Sequence, residues 1–476
     1  MFTCMLYGSR GPPSVAVFIF CITYIEKREE EEMRLHGTQL VNEQGHLEIG
    51  GCDTVELAKE FGTPLYIMDE AHIRDICRQY HSSFVEGMKN AEVIYASKAF
   101  STLAMCRIVA EEGLGLDIVS GGELYTALQA NFSAERIYFH GNNKSREELA
   151  MAINAGVGRI VVDNFYEMSI LNELAQEKNQ RVDILLRVTP GIEAHTHEYI
   201  QTGQIDSKFG FTLPDGTADR AIDLALSYPF LVVKGIHAHI GSQIFELDSF
   251  RHEVQIMIKY MADILRRTGC LLKELDLGGG LGIYYASGDD PAQIEDYAKT
   301  VQAALEDACQ EQKFPRPKII IEPGRSIVGT AGTTLYTVGS IKEIPGVRKY
   351  VAVDGGMADN PRTALYQAEY EAVLANRAND ETVESVSITG KCCESGDMLI
   401  WDIDLPKAVS GDLLAVSCTG AYNYSMSSNY NRLTRPGVVL VKGGHADVIV
   451  LRETHSDLLR NDVLPSRLKY LQMASR

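Results

Sequence analysis

The chain has 476 residues, 45% of them hydrophobic, so it can bury a large core and is long enough for two domains. Its formal net charge of −19 repels phosphate backbones and argues against a nucleic-acid partner. The ten cysteines include no CxxC pair and no zinc-finger spacing, and the adjacent Cys392 and Cys393 are poorly placed for an ordinary disulfide; reduced thiols in a cytoplasmic protein are expected.

At the N-terminus, residues 15–25 (VAVFIFCITYI) are apolar but span only about half of the ~20 residues a membrane crossing requires. Only Arg10 precedes them, and the charged run EKREEEE at 26–32 follows, which does not suit a signal peptide. Residues 1–32 are therefore expected to be a disordered extension, with Met33 as the natural beginning and no membrane role. Residues 33–69 form an N-terminal segment whose strand-like stretch 65–68 is expected to join a second domain.

Between 70 and 330, short β-branched runs alternate with amphipathic stretches. The runs fall at 93–96, 116–119, 137–139, 160–162, 182–188, 231–236, 271–277 and 318–321, and read as buried parallel strands. Helical patterns lie between them at 101–112, 122–130, 145–155 and 248–268, with Ser145 and Glu148 spaced as a capping box. Eight such units match a (β/α)8 TIM barrel in size and order, where a doubly wound sheet would have fewer strands. Lys98, Asp117, His140, Asp163, Arg187, His239, Gly278–Gly280 and Glu322 each fall at or just past a strand's C-terminal end, where barrel active sites are built. From 331 to 476 the pattern changes to alternating strand-like pieces at 334–341, 349–353, 382–388, 413–417, 438–441 and 447–451. These predict a mainly antiparallel β domain.

Five motifs carry chemistry. Lys98 follows the first strand between apolar residues; partial desolvation is expected to lower its amine pKa and favour imine formation, although taken alone it reads more readily as a surface lysine. The glycines 278–280 and Gly282 follow the seventh strand, where barrels often bind phosphate, or form only a tight turn. Glu322, in EPGR, is placed to keep a pyridinium nitrogen protonated, with Gly324 and Arg325 beside it for phosphate or carboxylate. His237 and His239, with His195 and His197, resemble a metal cluster, but no suitable carboxylate set accompanies them. An imidazole stacked on an aromatic cofactor, with Ser242 near its phosphate, fits better, and no metal is expected. In the second domain, Arg362, Tyr366, Cys393, Glu394 and Tyr422 supply what a carboxylated amino-acid substrate requires.

Together YASKAF (95–100), SGGEL (120–124), HGNNKS (140–145), HIGSQ (239–243), GGG (278–280), EPGR (322–325), CCESGD (392–397) and GAY (420–422) resemble, in that order, the fold-type III pyridoxal-5′-phosphate (PLP) decarboxylases. Within that family the diaminopimelate decarboxylase branch is most similar, and residues 195–211 are nearest to its Gram-positive form. The resemblance runs from Met33 to the C-terminus. It implies decarboxylation of meso-2,6-diaminopimelate to L-lysine and CO2, the last step of lysine biosynthesis, in a homodimer with shared sites. It implies that Lys98 forms the imine with PLP, that Glu322 pairs with the pyridine nitrogen, and that His239 stacks on the ring. Ser242, Gly280, Gly324, Arg325 and Tyr422 would surround the phosphate. Arg325, Arg362 and Tyr366, with Tyr422 close by, would bind substrate, and Glu394 would receive the distal ammonium. Cys393 would protonate the α-carbon, and Cys393 and Glu394 would come from the partner subunit. One departure is Thr363, where the family usually has proline, and a looser loop around Arg362 is expected. Ornithine, arginine and carboxynorspermidine decarboxylases share the fold and cofactor and are the rival reading. An alanine racemase-like enzyme and a non-catalytic PLP-binding protein fit less well.

Overall fold

The computed structural model describes residues 34–191 and 206–468; residues 1–32, His195 and His197 lie outside these. Eight parallel strands close into a barrel: β1 (Ala91–Ala96), β2 (Gly115–Ile118), β3 (Ile137–Phe139), β4 (Arg159–Val162), β5 (Val182–Thr189), β6 (Leu231–His237), β7 (Glu274–Asp276) and β8 (Lys318–Ile321). Closure is made by β8 against β1, with Ile319 opposite Ala91 and Ile321 opposite Val93. Each run expected from the sequence overlaps one of these strands. The expected 271–277 shortens to Glu274–Asp276, although Lys273 N still donates to Lys234 O at 2.8 Å and Leu277 N to Ile320 O at 3.0 Å.

The period of two along each strand divides the barrel into an interior and an exterior. Ile94, Tyr138, Val161, Leu185 and Ile320 form one buried cluster inside, while Val93, Tyr95, Ile160, Leu186 and Ile321 pack in the core shared with the helices. Each such burial stabilises by roughly 1.5–3 kcal/mol. Below the apolar layer, Tyr138 donates to Glu92 at 2.9 Å, Lys318 pairs with Glu92, and Arg159 grips Glu274 with bonds of 2.6 and 2.7 Å. Apolar packing and ion pairs thus fill the N-terminal half of the barrel, and only the C-terminal end is left for chemistry.

Helices start just after the strand-end loops because short polar side chains cap them. Thr102, Ser120 and Asn164 accept from the N3 backbone N–H of helices Leu103–Glu111, Gly121–Gln129 and Phe165–Glu177. Ser145 and Glu148 form the expected reciprocal box at the start of Arg146–Ala155. These caps fix where each strand-to-helix loop ends, and so where its functional side chain stands.

The second sheet is built on the long strand Gly332–Ile344. Gly332–Leu335 pairs with Leu65–Met68, Thr334–Thr337 pairs with Leu413–Val416 on the other edge, and the remainder pairs with Arg348–Val353. The order is Met398–Leu405, Glu384–Thr389, Arg348–Val353, Gly332–Ile344, Leu65–Asp69, Gly437–Lys442, His445–Val450. The pairing is mainly antiparallel, as expected. It has two parallel steps, between Arg348–Val353 and Glu384–Thr389 and between Leu65–Asp69 and Gly437–Lys442. Two strands were not anticipated. Ala372–Leu374 is only three residues long, and Met398–Leu405 contains register shifts against its neighbour with Asp402 at φ 51°, so its polarity does not alternate cleanly. Ile283 and Tyr285, from the loop after β7, enter the core of this sheet and bind it to the barrel's C-terminal end.

Candidate active site

A carboxylate lies at the centre of the barrel mouth. Glu322, immediately after β8, is buried with its Oε1 2.7 Å from His140 Nε2 and its Oε2 3.5 Å from His237 Nε2. The short contact is out of line for a hydrogen bond, so Glu322 Oε1 has no well-directed partner among the described residues. Burial pushes this carboxyl up, but His140 and His237 outweigh it and hold Glu322 well below the usual carboxylate range. Asp276, at the end of β7, shows the reverse: burial and the neighbouring Glu322 charge push it well above that range. The mouth therefore sets two neighbouring carboxyls in opposite directions, Glu322 towards the ionised form and Asp276 towards the protonated one. The ligating atoms of His140, His237 and Glu322 lie within 4.8 Å of one another, close enough to hold a small cation as well as an N–H donor.

Lys98 stands in the turn Ser97–Ala99 after β1, its Nζ 3.8 Å from Asp117 Oδ2. Its side chain is 43% exposed. Burial is the largest single influence and lowers the amine pKa as expected, but Asp117, Tyr422 and Glu322 together outweigh it and the net direction is upward. The expected depression of the Lys98 pKa is thus corrected, because Asp117, Tyr422 and Glu322, which the fold gathers around the amine, together outweigh desolvation. His239 is held neutral by burial and by the charges of Lys98 and Arg187, and its Nδ1 accepts from Gly279 N at 3.3 Å.

The glycine loop after β7 is too close to its neighbours for side chains. A Cβ on Gly279 would sit 2.2 Å from Glu322 O, and one on Gly280, at φ +129°, would sit 2.6 Å from Gly241 O. Gly324 is equally tight, its would-be Cβ 2.9 Å from that of Ala96. The loops after β6, β7 and β8 consequently meet as a cradle of bare backbone, packed on one another and on Ala96 with no space between them for a methyl group.

Above the cradle lies a cavity of about 470 Å³, lined by residues of both domains. Arg325 donates to Ser242 Oγ at 2.9 and 3.2 Å and to Tyr285 OH at 2.7 Å, and its guanidinium lies 4.9 Å from the Tyr422 ring centre. Arg362 is buried, donates to Tyr370 OH at 2.7 Å, and lies 4.9 Å from the other ring contact, Tyr285. Tyr366 closes the short helix Arg362–Tyr366 and lines the same cavity. Tyr422 is held at φ 67°, with its N–H on Ala99 O at 2.8 Å. Thr363 does not loosen this region: its hydroxyl donates to Leu399 O at 3.1 Å and ties the helix to the neighbouring strand. Tyr285 and Tyr370 were not anticipated, since nothing in their spacing marks them as supports for arginines elsewhere in the chain.

Cys393 and Glu394 do not join this group. Both are exposed, and neither is among the described residues lining the cavity. Cys393 N donates to Asn431 Oδ1 at 2.7 Å, and Glu394 N to Cys392 O at 2.8 Å.

Residues 70–329 match the pyridoxal binding domain of the pyridoxal-dependent decarboxylases. The diaminopimelate decarboxylase of Bacillus subtilis (strain 168) is 55% identical over 431 residues, covering 90% of this chain and 98% of that one. The diaminopimelate decarboxylase of Synechocystis sp. is 50% identical over 442 residues, covering 90% and 93%. A solved structure of the diaminopimelate decarboxylase of M. jannaschii in complex with L-lysine superposes with a TM-score of 0.86 at 36% identity, covering 91% of this chain and all of that one. With a barrel mouth, a buried carboxylate and an arginine-lined cavity arranged on that same architecture, the chain belongs to the diaminopimelate decarboxylases within the pyridoxal-dependent decarboxylase family.

Proposed function

We propose that this chain removes one carboxylate of meso-2,6-diaminopimelate to give L-lysine and CO2, with PLP as cofactor and Lys98, Glu322 and Cys393 as its principal catalytic groups. The observation that carries the reading is the pair of arginines, Arg325 and Arg362, set around Tyr285 in one cavity above the barrel mouth. Two fixed guanidinium groups suit a ligand bearing several anionic groups.

The residues present fit PLP. Glu322 Oε1 lacks a directed donor, as a partner for a ring N–H requires, and the cavity that Ser242 and Arg325 line offers a hydroxyl and a guanidinium to a phosphate. When bound, PLP supplies an aldehyde that condenses with amines and a conjugated ring that takes up the electron pair left as CO2 departs. Lys98 holds the cofactor through its amine, and Asp117 keeps that amine in place. Glu322, ionised by its two histidines, holds the proton on the ring nitrogen. Neutral His239 presents an uncharged face to the ring. Ser242, Gly280, Gly324, Arg325 and Tyr422 receive the phosphate, and Arg325, Arg362 and Tyr366, near Tyr422, orient the substrate carboxylates. Glu394 accepts the distal ammonium, and Cys393 Sγ–H delivers a proton to the carbon that lost its carboxylate.

In this reading Cys393 and Glu394 act on a second copy of the chain, because in their own chain both are exposed and neither is among the described residues lining the cavity. Exposed Leu103 and Tyr166 stand in the first turn of the helices that follow β1 and β4, on the active end of the barrel, and with Tyr125 in the middle of the helix after β2 offer apolar surface to that second copy. None of the eight described cysteines forms a disulfide, and no described helix is long and apolar enough to cross a membrane; the reading is of a cytoplasmic homodimer. A CO2-release assay across meso-diaminopimelate, ornithine, arginine and lysine tests the substrate. Turnover of ornithine or arginine above that of diaminopimelate would refute it.

A further inference from the structure

The loop that carries Cys393 is held from two sides. On one side Asp397 accepts from Met357 N at 2.6 Å and from Cys392 N at 2.7 Å. On the other, Asn431 Oδ1 accepts the backbone N–H of Cys393 itself, at 2.7 Å. Asn431 is itself unusual: it and Arg432 stand in succession in the left-handed region, at φ 52° and 60°. Residues with side chains hold that conformation only where the surroundings over-determine it, and such places cluster at functional sites.

The surroundings here are the C-terminal segment. Arg432 donates to Leu458 O at 3.2 Å and pairs with Asp462, and Asn429 Nδ2 donates to Leu433 O at 2.9 Å and to Glu453 at 2.6 Å. The turn is thus bound to residues 453–462, and from it a single amide carbonyl reaches across to Cys393. An asparagine suits that task because its side chain carries an acceptor and its backbone tolerates the left-handed region.

We propose that Asn431 is a positioning residue for the Cys393 thiol: its carbonyl fixes the Cys393 backbone, and with it the direction in which the thiol is offered to the second copy's site. The proposal rests on the reading of Cys393 as the proton donor. Arg432, anchored on Leu458 and Asp462, sets the position of that carbonyl. A thiol misdirected by an ångström would slow the proton transfer and change substrate binding little, since Arg325 and Arg362 stand elsewhere and the Glu394 backbone is held separately, its N–H on Cys392 O at 2.8 Å.

Two substitutions test this. Asn431→Gly removes the acceptor and keeps the left-handed backbone; Asn431→Asp retains an acceptor oxygen. Asn431→Gly should lower kcat roughly tenfold with KM for meso-diaminopimelate changed by less than about twofold, and Asn431→Asp should recover most of the loss. The same substitution is then placed in hybrids of a Lys98→Ala chain with a Cys393→Ala chain, in which the one surviving site takes its thiol from the Lys98→Ala chain. Asn431→Gly on the Lys98→Ala chain should reproduce the roughly tenfold loss, and on the Cys393→Ala chain should cause no further loss. Equal loss in both placements, no loss in either, or an aspartate no better than glycine would overturn the proposal. If hybrids proven by mass spectrometry have no activity at all, the shared site itself fails, and the kcat-against-KM split and aspartate rescue in the plain homodimer decide the role of Asn431.

Discussion

The barrel mouth and the loop from Cys392 to Asp397 both carry reactive groups, and they differ in how much of their surroundings the chain itself provides. At the mouth, Glu322 is enclosed by His140 and His237, and Arg325 is held by Ser242 and Tyr285. On the loop, Cys393 and Glu394 are exposed, and their described hydrogen bonds run through the backbone or back into the loop itself. A buried charge requires partners assembled around it before it can be stable, so the mouth has to be complete within one chain. A group offered to another molecule has to remain uncovered in its own. The contrast marks which half of the proposed site is built in place and which is delivered.

The largest effect should come from the complete half. Lys98→Ala should abolish turnover and the visible absorbance that PLP acquires on binding, because Lys144, on the loop after β3, is buried and tied to Gly141 O, Val161 O and Glu167. Normal spectra and normal CO2 release in the variant would break the assignment. Next, Glu322→Gln should reduce turnover by roughly a hundredfold while PLP affinity changes only a few-fold, since the amide cannot hold the ring proton but leaves the phosphate contacts intact. Comparable falls in both quantities would make Glu322 a binding group instead.

The delivered half is tested by mixing. Lys98→Ala and Cys393→Ala homodimers should each be nearly inactive. After random exchange about half the dimers are hybrids, each with one intact site, so activity should return to roughly a quarter of wild type. If both residues served the same site from one chain, every site would carry a lesion and mixing would restore nothing.

The smallest effect concerns the base of the loops. Burial, partly countered by bonds from Tyr336 and Gly356, pushes the Asp359 carboxyl from 3.8 up to about 7. The folded chain then binds a proton that the unfolded chain releases, so stability falls as pH rises from about 4 through 7. Asp359→Asn carries no such proton. In urea unfolding, wild type should lose up to about 4 kcal/mol relative to the variant across that window. A difference independent of pH would mean that Asp359 is ionised in the fold.

The legible parts of this protein were those encoded locally. Buried parallel strands read as short apolar runs, the Ser145–Glu148 spacing announced its own cap, and a polar residue after each run marked the active end of a barrel. Motif order along the chain was enough to suggest the family. Tyr285 was not legible, because its two arginines lie 40 and 77 residues away and meet it only once the sheet domain covers the barrel. The asparagine bonded to Cys393 was equally hidden, 38 residues further on.

The Lys98 pKa shows the limit most directly. Its position after a strand was a property of the sequence, and desolvation alone would lower its pKa; the direction was reversed by Asp117, Tyr422 and Glu322 together, of which Asp117 is placed opposite by the pairing of β2 with β1. The charge on Glu322 is likewise set by His140 and His237, which lie on loops after β3 and at the end of β6. Sequence determined which groups exist and at which strand ends they stand, because hydrophobic period and capping act within a few residues. Tertiary structure decided their charges, their supports and the exposure of Cys393, because electrostatic and packing partners are chosen by distance in space, which only the closed barrel and the docked sheet establish.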